Sequence, residues 1–150
     1  MDLNYSLYTI PIYWIMAIAP HAYASKLVRE ANNNKWNNAN PRSTVHHDQI
    51  SKSVPSDVFA KYERAEAAHK NSMENAPLFI GAVLAGNLAR LQPSFLNLAL
   101  GTYLGFRVVY LAAYINTTTQ KYSYLRSLLW ATSTGLLFYV FVKAGNQLAL

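Results

Sequence analysis

Three short runs of this sequence carry side chains that can do chemistry. In "RAEAAHKNSME", Arg64, Ala67, Asn71 and Glu74 stand three or four positions apart, so one helical face presents a guanidinium, an amide and a carboxylate. In "RVVYLAAY", Arg107, Tyr110 and Tyr114 repeat that spacing, and in "YLRSLLW" Arg126 and Ser127 are adjacent at the start of an apolar run. The arginines outnumber the glutamate, so the set has positive charge left over. Guanidinium forks take carboxylates bidentately, and a lone glutamate suits an ammonium group. Two readings remain open at this level. Either Glu74 pairs with Arg107 or Arg126 and holds helices together, or an acidic ligand completes the set.

Other chemistries are excluded or weakly signalled. The chain has no cysteine, so it has no disulfide, no zinc–thiolate site and no thiol nucleophile of its own. Any sulfur chemistry here must use sulfur brought by a ligand. His46 and His47 are adjacent in a polar stretch and have no helix-spaced partners, so no metal site is expected. His21 and His69 read as interfacial histidines. No phosphate-binding glycine loop and no GxSxG nucleophile motif is present.

The elements that must position these residues are apolar. The chain is 150 residues long and 52% hydrophobic, and only 13% of it is charged, against about 25% in soluble domains. The charges cluster between long apolar tracts. Tyr5 to Ala24 forms the first tract, a retained anchor rather than a cleaved signal, because no basic segment precedes it. Asn32 to Asp57 is polar, rich in asparagine and contains Pro41 and Pro55, which predicts a long loop. The next helix is expected to start at Asp57, capped by Ser56 or Asp57. It stays polar through Glu74, turns apolar to Leu91, and has Pro77 at the change. Ser94–Ile115 and Leu125–Leu150 are the remaining tracts, and Gly101 and Gly105 allow close helix approach.

The pattern predicts an all-α, integral membrane four-helix bundle in one domain. Its helices fall at about 5–29, 57–91, 94–117 and 122–149, with a loop over about 30–56. Net charge is +6, without the dense basic run that nucleic-acid binding wants, so the expected partner is the bilayer and not nucleic acid. Lysines and arginines concentrate in the first and third connections. Those connections are therefore expected on the cytosolic side, with both termini opposite. The Arg64, Arg107 and Arg126 groups then gather at the cytosolic end of three helices.

These residues resemble a known family. "ERAEAAHKNSMENAPLF", "FRVVYLAAY" and "LRSLLW" are similar, in order, to the second-, third- and fourth-helix signatures of the membrane-associated proteins in eicosanoid and glutathione metabolism (MAPEG). "NANPRS" is similar to that family's loop after the first helix. The resemblance extends over nearly the whole chain. It implies a homotrimer with glutathione bound between neighbouring subunits near the cytosolic face, in the endoplasmic reticulum if the source is eukaryotic. It also implies site roles. Asn71 and Glu74 hold the peptide, with Glu74 on its amino group. Arg64, Arg107, Tyr110 and Tyr114 line the same site, and Arg126, with Ser127 beside it, sits at the sulfur as the catalytic residue. The implied activity is glutathione transfer to lipophilic electrophiles, with peroxidase activity towards lipid hydroperoxides. A glutathione-dependent isomerase and a non-catalytic trimeric scaffold are the alternatives. This chain departs from the pattern at Ala67, where many active members carry a second arginine, and at Trp130, where some carry tyrosine.

Overall fold

The computed structural model describes residues 3–149 (for Lys121, the backbone alone). After a single 3-10 turn at Ser6–Tyr8 come α1 (Thr9–Ala31), α2 (Thr44–Ser53), α3 (Ser56–Leu88), α4 (Pro93–Asn116) and α5 (Gln120–Leu148). Among the described residues there are five α-helices rather than four. The additional one, α2, lies inside the stretch read as loop. Ser43 caps it, its hydroxyl accepting from the His46 amide at 3.1 Å. It buries His46 and Ile50 beside Val28 and Tyr62. Its apolar spacing is short and carried partly by histidine, so it gives little periodic signal.

The long helices run up and down in turn. Tyr13, Ala17 and His21 of α1 meet Ser72, His69 and Glu66 of α3, an antiparallel register. Arg107 and Ile115 of α4 meet Ser72 and Arg64 of α3, again antiparallel. α5 returns along α4, pairing Tyr139 with Phe95 and Arg126 with Tyr114. Alanines line the α1–α3 seam. Ala17, Ala24 and Ala65 are fully buried there, and small side chains let two backbones approach closely. A stack of Tyr13, Phe79 and Tyr103, with centroids 4.7 and 4.8 Å apart, joins α1, α3 and α4.

The helix ends explain the local sequence. Asn33 and Asn34 take positive φ of 50° and 60° after α1, a conformation asparagine accepts more readily than most residues. α3 ends in a paired-bond cap: the Leu91 amide donates to the Gly86 carbonyl and the Arg90 amide to the Asn87 carbonyl, both at 3.0 Å. Arg90, at φ 53°, occupies the left-handed position usually given to glycine. Pro93 then starts α4, where its missing N–H costs nothing. At the start of α3 the expected side-chain cap does not form. Pro55 is the cap residue, and Ser56 and Asp57 lie within the first turn.

Four crossing tracts were expected. By length and composition, α4 and the Tyr122–Leu148 part of α5 suffice to cross a bilayer, with mean hydropathy 1.5 and 1.4. α1 and α3 have the length but not the uniform apolarity. Tyrosines, prolines and His21 interrupt α1, and the first half of α3 is charged. Outward-facing Leu98, Val108, Val109, Leu128, Phe138 and Val142 leave α4 and α5 apolar on their free surfaces. The glycine pair Gly101 and Gly105 also faces outward. A Cβ on either would have no neighbouring atom within 4 Å, so the pair serves no contact inside this chain.

Candidate functional site

α3, α4 and α5 bring the polar groups to one end of the bundle. Arg107 lies at its centre, 1% exposed, pointing from α4 into α3. Its Nη2 donates to Asn71 Oδ1 at 3.1 Å and to Ser72 Oγ at 3.0 Å. Its guanidinium carbon sits 4.5 Å from the Tyr110 ring centre. Arg107 Nε is buried without a partner. A charge this deep is held by neutral dipoles and an aromatic face rather than by a carboxylate.

Next to it, Tyr110 and Tyr114 meet edge to face at 5.6 Å, and the Arg126 guanidinium carbon lies 4.2 Å over Tyr114. The two arginines thus cap a tyrosine pair from opposite ends. In front of them is a cleft of about 500 Å³ lined by Asn71, Tyr110, Tyr114, Arg126, Ser127 and Trp130. Its upper wall is amide, phenol and guanidinium. Towards the middle of α5, Trp130 and Ala131 make the wall apolar.

Five of the eight residues singled out from sequence therefore line one cleft: Asn71, Tyr110, Tyr114, Arg126 and Ser127. Arg107 supports it from behind. Glu74 is exposed, one turn from Asn71 and outside the cleft wall. Arg64 is elsewhere, its Nε donating at 2.9 Å to the Ile115 carbonyl near the end of α4. A guanidinium suits the negative end of a helix. Among the described residues, no carboxylate lies within 4.0 Å of Arg64, Arg107 or Arg126. The internal ion pair between Glu74 and Arg107 or Arg126 is not formed.

Sequence reasoning missed one participant and, outside the cleft, one juxtaposition. Ser72 gives Arg107 its second acceptor while its own hydroxyl donates to the Ala68 carbonyl at 2.9 Å. A serine inside a helix gives no sign of this, because bonding back to its own helix is its usual use. The histidines are the other case. His21 and His69, read as separate interfacial residues, lie 5.3 Å apart between α1 and α3. Among the described residues, no group of three or more potential ligands forms a metal site.

The family model of the MAPEG family matches residues 5–146, and the chain belongs to that family. Comparison with curated proteins and with solved structures finds no match. The protein is an all-helical member of a membrane-associated family, with apolar outer faces suited to a lipid bilayer.

Proposed function

We propose that the cleft binds glutathione and that the protein is a membrane glutathione transferase acting on lipophilic electrophiles. The observation carrying this reading is Arg126: a guanidinium with no carboxylate neighbour among the described residues, stacked on Tyr114 at the edge of a cleft that also holds Asn71 and Ser127. Glutathione has two carboxylates, an ammonium and a thiol. A thiol with a pKa of about 8.5 is mostly protonated at neutral pH and reacts as the thiolate. A nearby guanidinium favours the anion, and Ser127 can donate to it. The electrophile reaches the thiolate from the apolar side, where Trp130 and Ala131 line the cleft. Peroxidase activity towards lipid hydroperoxides would use the same thiolate.

Glu74, exposed and without an ion partner among the described residues, is free to take the ligand's ammonium group. The cleft is open on one chain. The family membership and the cleft's open side support a homotrimer in which a neighbour closes it, with glutathione on the cytosolic side. Calorimetry of the purified protein with glutathione and with its sulfonate analogue tests the reading. Saturable binding of both is expected, with a thiolate absorbance appearing only for glutathione. No saturable heat at millimolar ligand would remove it.

A further inference from the structure

α1 runs on past the end of α4. His21 is level with Glu66, and Arg64, just before Glu66 on α3, reaches the Ile115 carbonyl. The last turns of α1, up to Ala31, therefore stand about 10 Å beyond the apolar α4, given a rise of about 1.5 Å per residue. There α2 sets Ile50 beside Val28 and leaves a recess of about 480 Å³. That is within the range of about 300–1,000 Å³ typical of small-molecule sites. The recess shares no lining residue with the Arg126 cleft.

Its floor is apolar except at one side chain. Val28 and Ile50 are buried there, with Trp36 beside them. His46 is 6% exposed, and its Nε2 is buried without a hydrogen-bond partner. The ring meets Trp36 edge to face at 4.9 Å. Phenylalanine would make that contact without a stranded nitrogen, and a sealed polar atom with no partner is destabilising. Packing alone therefore does not explain a histidine here. Around the floor stands a rim of amides with capacity to spare. Asn32 commits its Nδ2 to the Lys35 carbonyl at 3.2 Å and keeps its oxygen open. Asn37 commits its oxygen to the Ala39 amide at 2.9 Å and keeps its Nδ2 open. Asn34 and Gln49 are exposed and make no side-chain hydrogen bond among the described residues. Lys35 is the charged group of the lining, and among the described residues no carboxylate lies within 4.0 Å of it.

We propose that this recess binds a polyhydroxylated ring carrying one phosphate. A hydroxyl both donates and accepts, so ring hydroxyls satisfy a rim that mixes open amide donors with open amide acceptors. One hydroxyl pairs His46 Nε2, in whichever tautomer the ring holds, once the exposed rim side chains part to admit it. The C–H face of the ligand lies on Val28, Ile50 and Trp36, and Lys35 takes the phosphate. One cation and no carboxylate in the lining suit a ligand with a single anionic group. Because the recess lies just outside the apolar span, the same chemistry can arrive as a free cyclic polyol phosphate or as the headgroup of a phospholipid. The site is independent of the glutathione reading.

The test uses full-length, untagged protein in phosphatidylcholine nanodiscs, read by hydrogen–deuterium exchange over residues 32–53. In one arm myo-inositol 1-phosphate is titrated in solution. In the other, phosphatidylinositol replaces part of the phosphatidylcholine, with phosphatidylglycerol at the same mole fraction as the charge control. Saturable protection of this segment in the first arm identifies a free ligand, and protection in the second arm alone identifies a headgroup. Cyclohexyl phosphate keeps the ring and the charge but not the hydroxyls, and is expected to bind at least about tenfold more weakly. His46→Phe keeps the contact with Trp36 and is expected to weaken binding about tenfold, the effect of losing roughly one hydrogen bond. His46 is also part of the α2 packing, so Gln49→Leu is the second variant. Gln49 is exposed, and its loss is expected to weaken binding by a similar factor with the fold intact. Saturating glutathione leaves the protection unchanged. No saturable protection in either arm, equal binding of cyclohexyl phosphate or phosphatidylglycerol, unaltered affinity in either folded variant, or displacement by glutathione would each overturn the proposal.

Discussion

Arg126 stands over the ring of Tyr114 at 4.2 Å, from one helix to the next, with no carboxylate beside it among the described residues. The aromatic face orients the guanidinium without neutralising it. A cation–π contact of this kind contributes only about 0.5–2 kcal/mol. The arginine is therefore held in place while its charge stays available to something else.

Replacing Arg126 should accordingly separate activity from folding. Arg126→Ala is expected to lower turnover with glutathione by about 100-fold, the usual effect of removing one charge-stabilising donor. The melting temperature and assembly state should stay close to those of the parent. Steady-state rates, a thiolate difference spectrum and analytical ultracentrifugation measure the three quantities. A collapsed assembly with intact glutathione binding would instead favour the scaffold reading.

Arg107 should behave in the opposite way. It is buried and held by Asn71 and Ser72. Removing both acceptors leaves a buried cation with only the Tyr110 ring face beside it, so the double variant Asn71→Ala/Ser72→Ala is expected to lose about 3–5 kcal/mol. Arg107→Met removes charge and need together and should cost about 1–2 kcal/mol. Denaturant titration in detergent ranks the two, and the reverse order would contradict the role of these acceptors in the site's back wall.

At the far end of α3, Arg90 sits at φ 53° in a cap that favours glycine. Arg90→Gly should therefore raise stability by about 1 kcal/mol, by relieving the left-handed conformation. Thermal unfolding measures the gain, and glutathione binding should not change.

Asn87 anchors the N-terminal segment. Its amide donates to Ser6 Oγ at 2.8 Å, and its carbonyl oxygen accepts from Asn4 Nδ2 at 2.8 Å. Asn97 continues the network, accepting from the Tyr5 amide and donating to the Leu3 carbonyl, both at 2.8 Å. Asn87→Leu should cost about 1–3 kcal/mol by stranding Asn4 and Ser6. Faster proteolysis of the first residues should follow, with no loss of ligand affinity.

Much of the cleft was legible because its residues obey helical spacing on three separate tracts. Arg107, Tyr110 and Tyr114 share a face in any helix, so their convergence needed only the helix itself. Arg64 shows the limit of the same reasoning. It has the right spacing to Asn71, but it lies nearly two turns further along α3, level with the end of α4, where a free carbonyl claims it. Spacing gives the face of a helix and not the height at which a neighbouring helix stops.

The order of apolar and polar residues alone determined that this chain is helical, that its outer faces suit lipid, and that arginines outnumber acids near one end. Those properties follow from local periodicity and composition, which every residue carries with it. The tertiary structure decided which arginine is consumed by structure and which is left available. Arg64 and Arg107 are occupied by acceptors more than thirty residues away along the chain, while Arg126 rests on an aromatic face that leaves its charge unspent. It also brought His21 to Glu66 and His69, because the antiparallel packing of α1 on α3 joins residues more than forty positions apart and cannot be read from either helix alone.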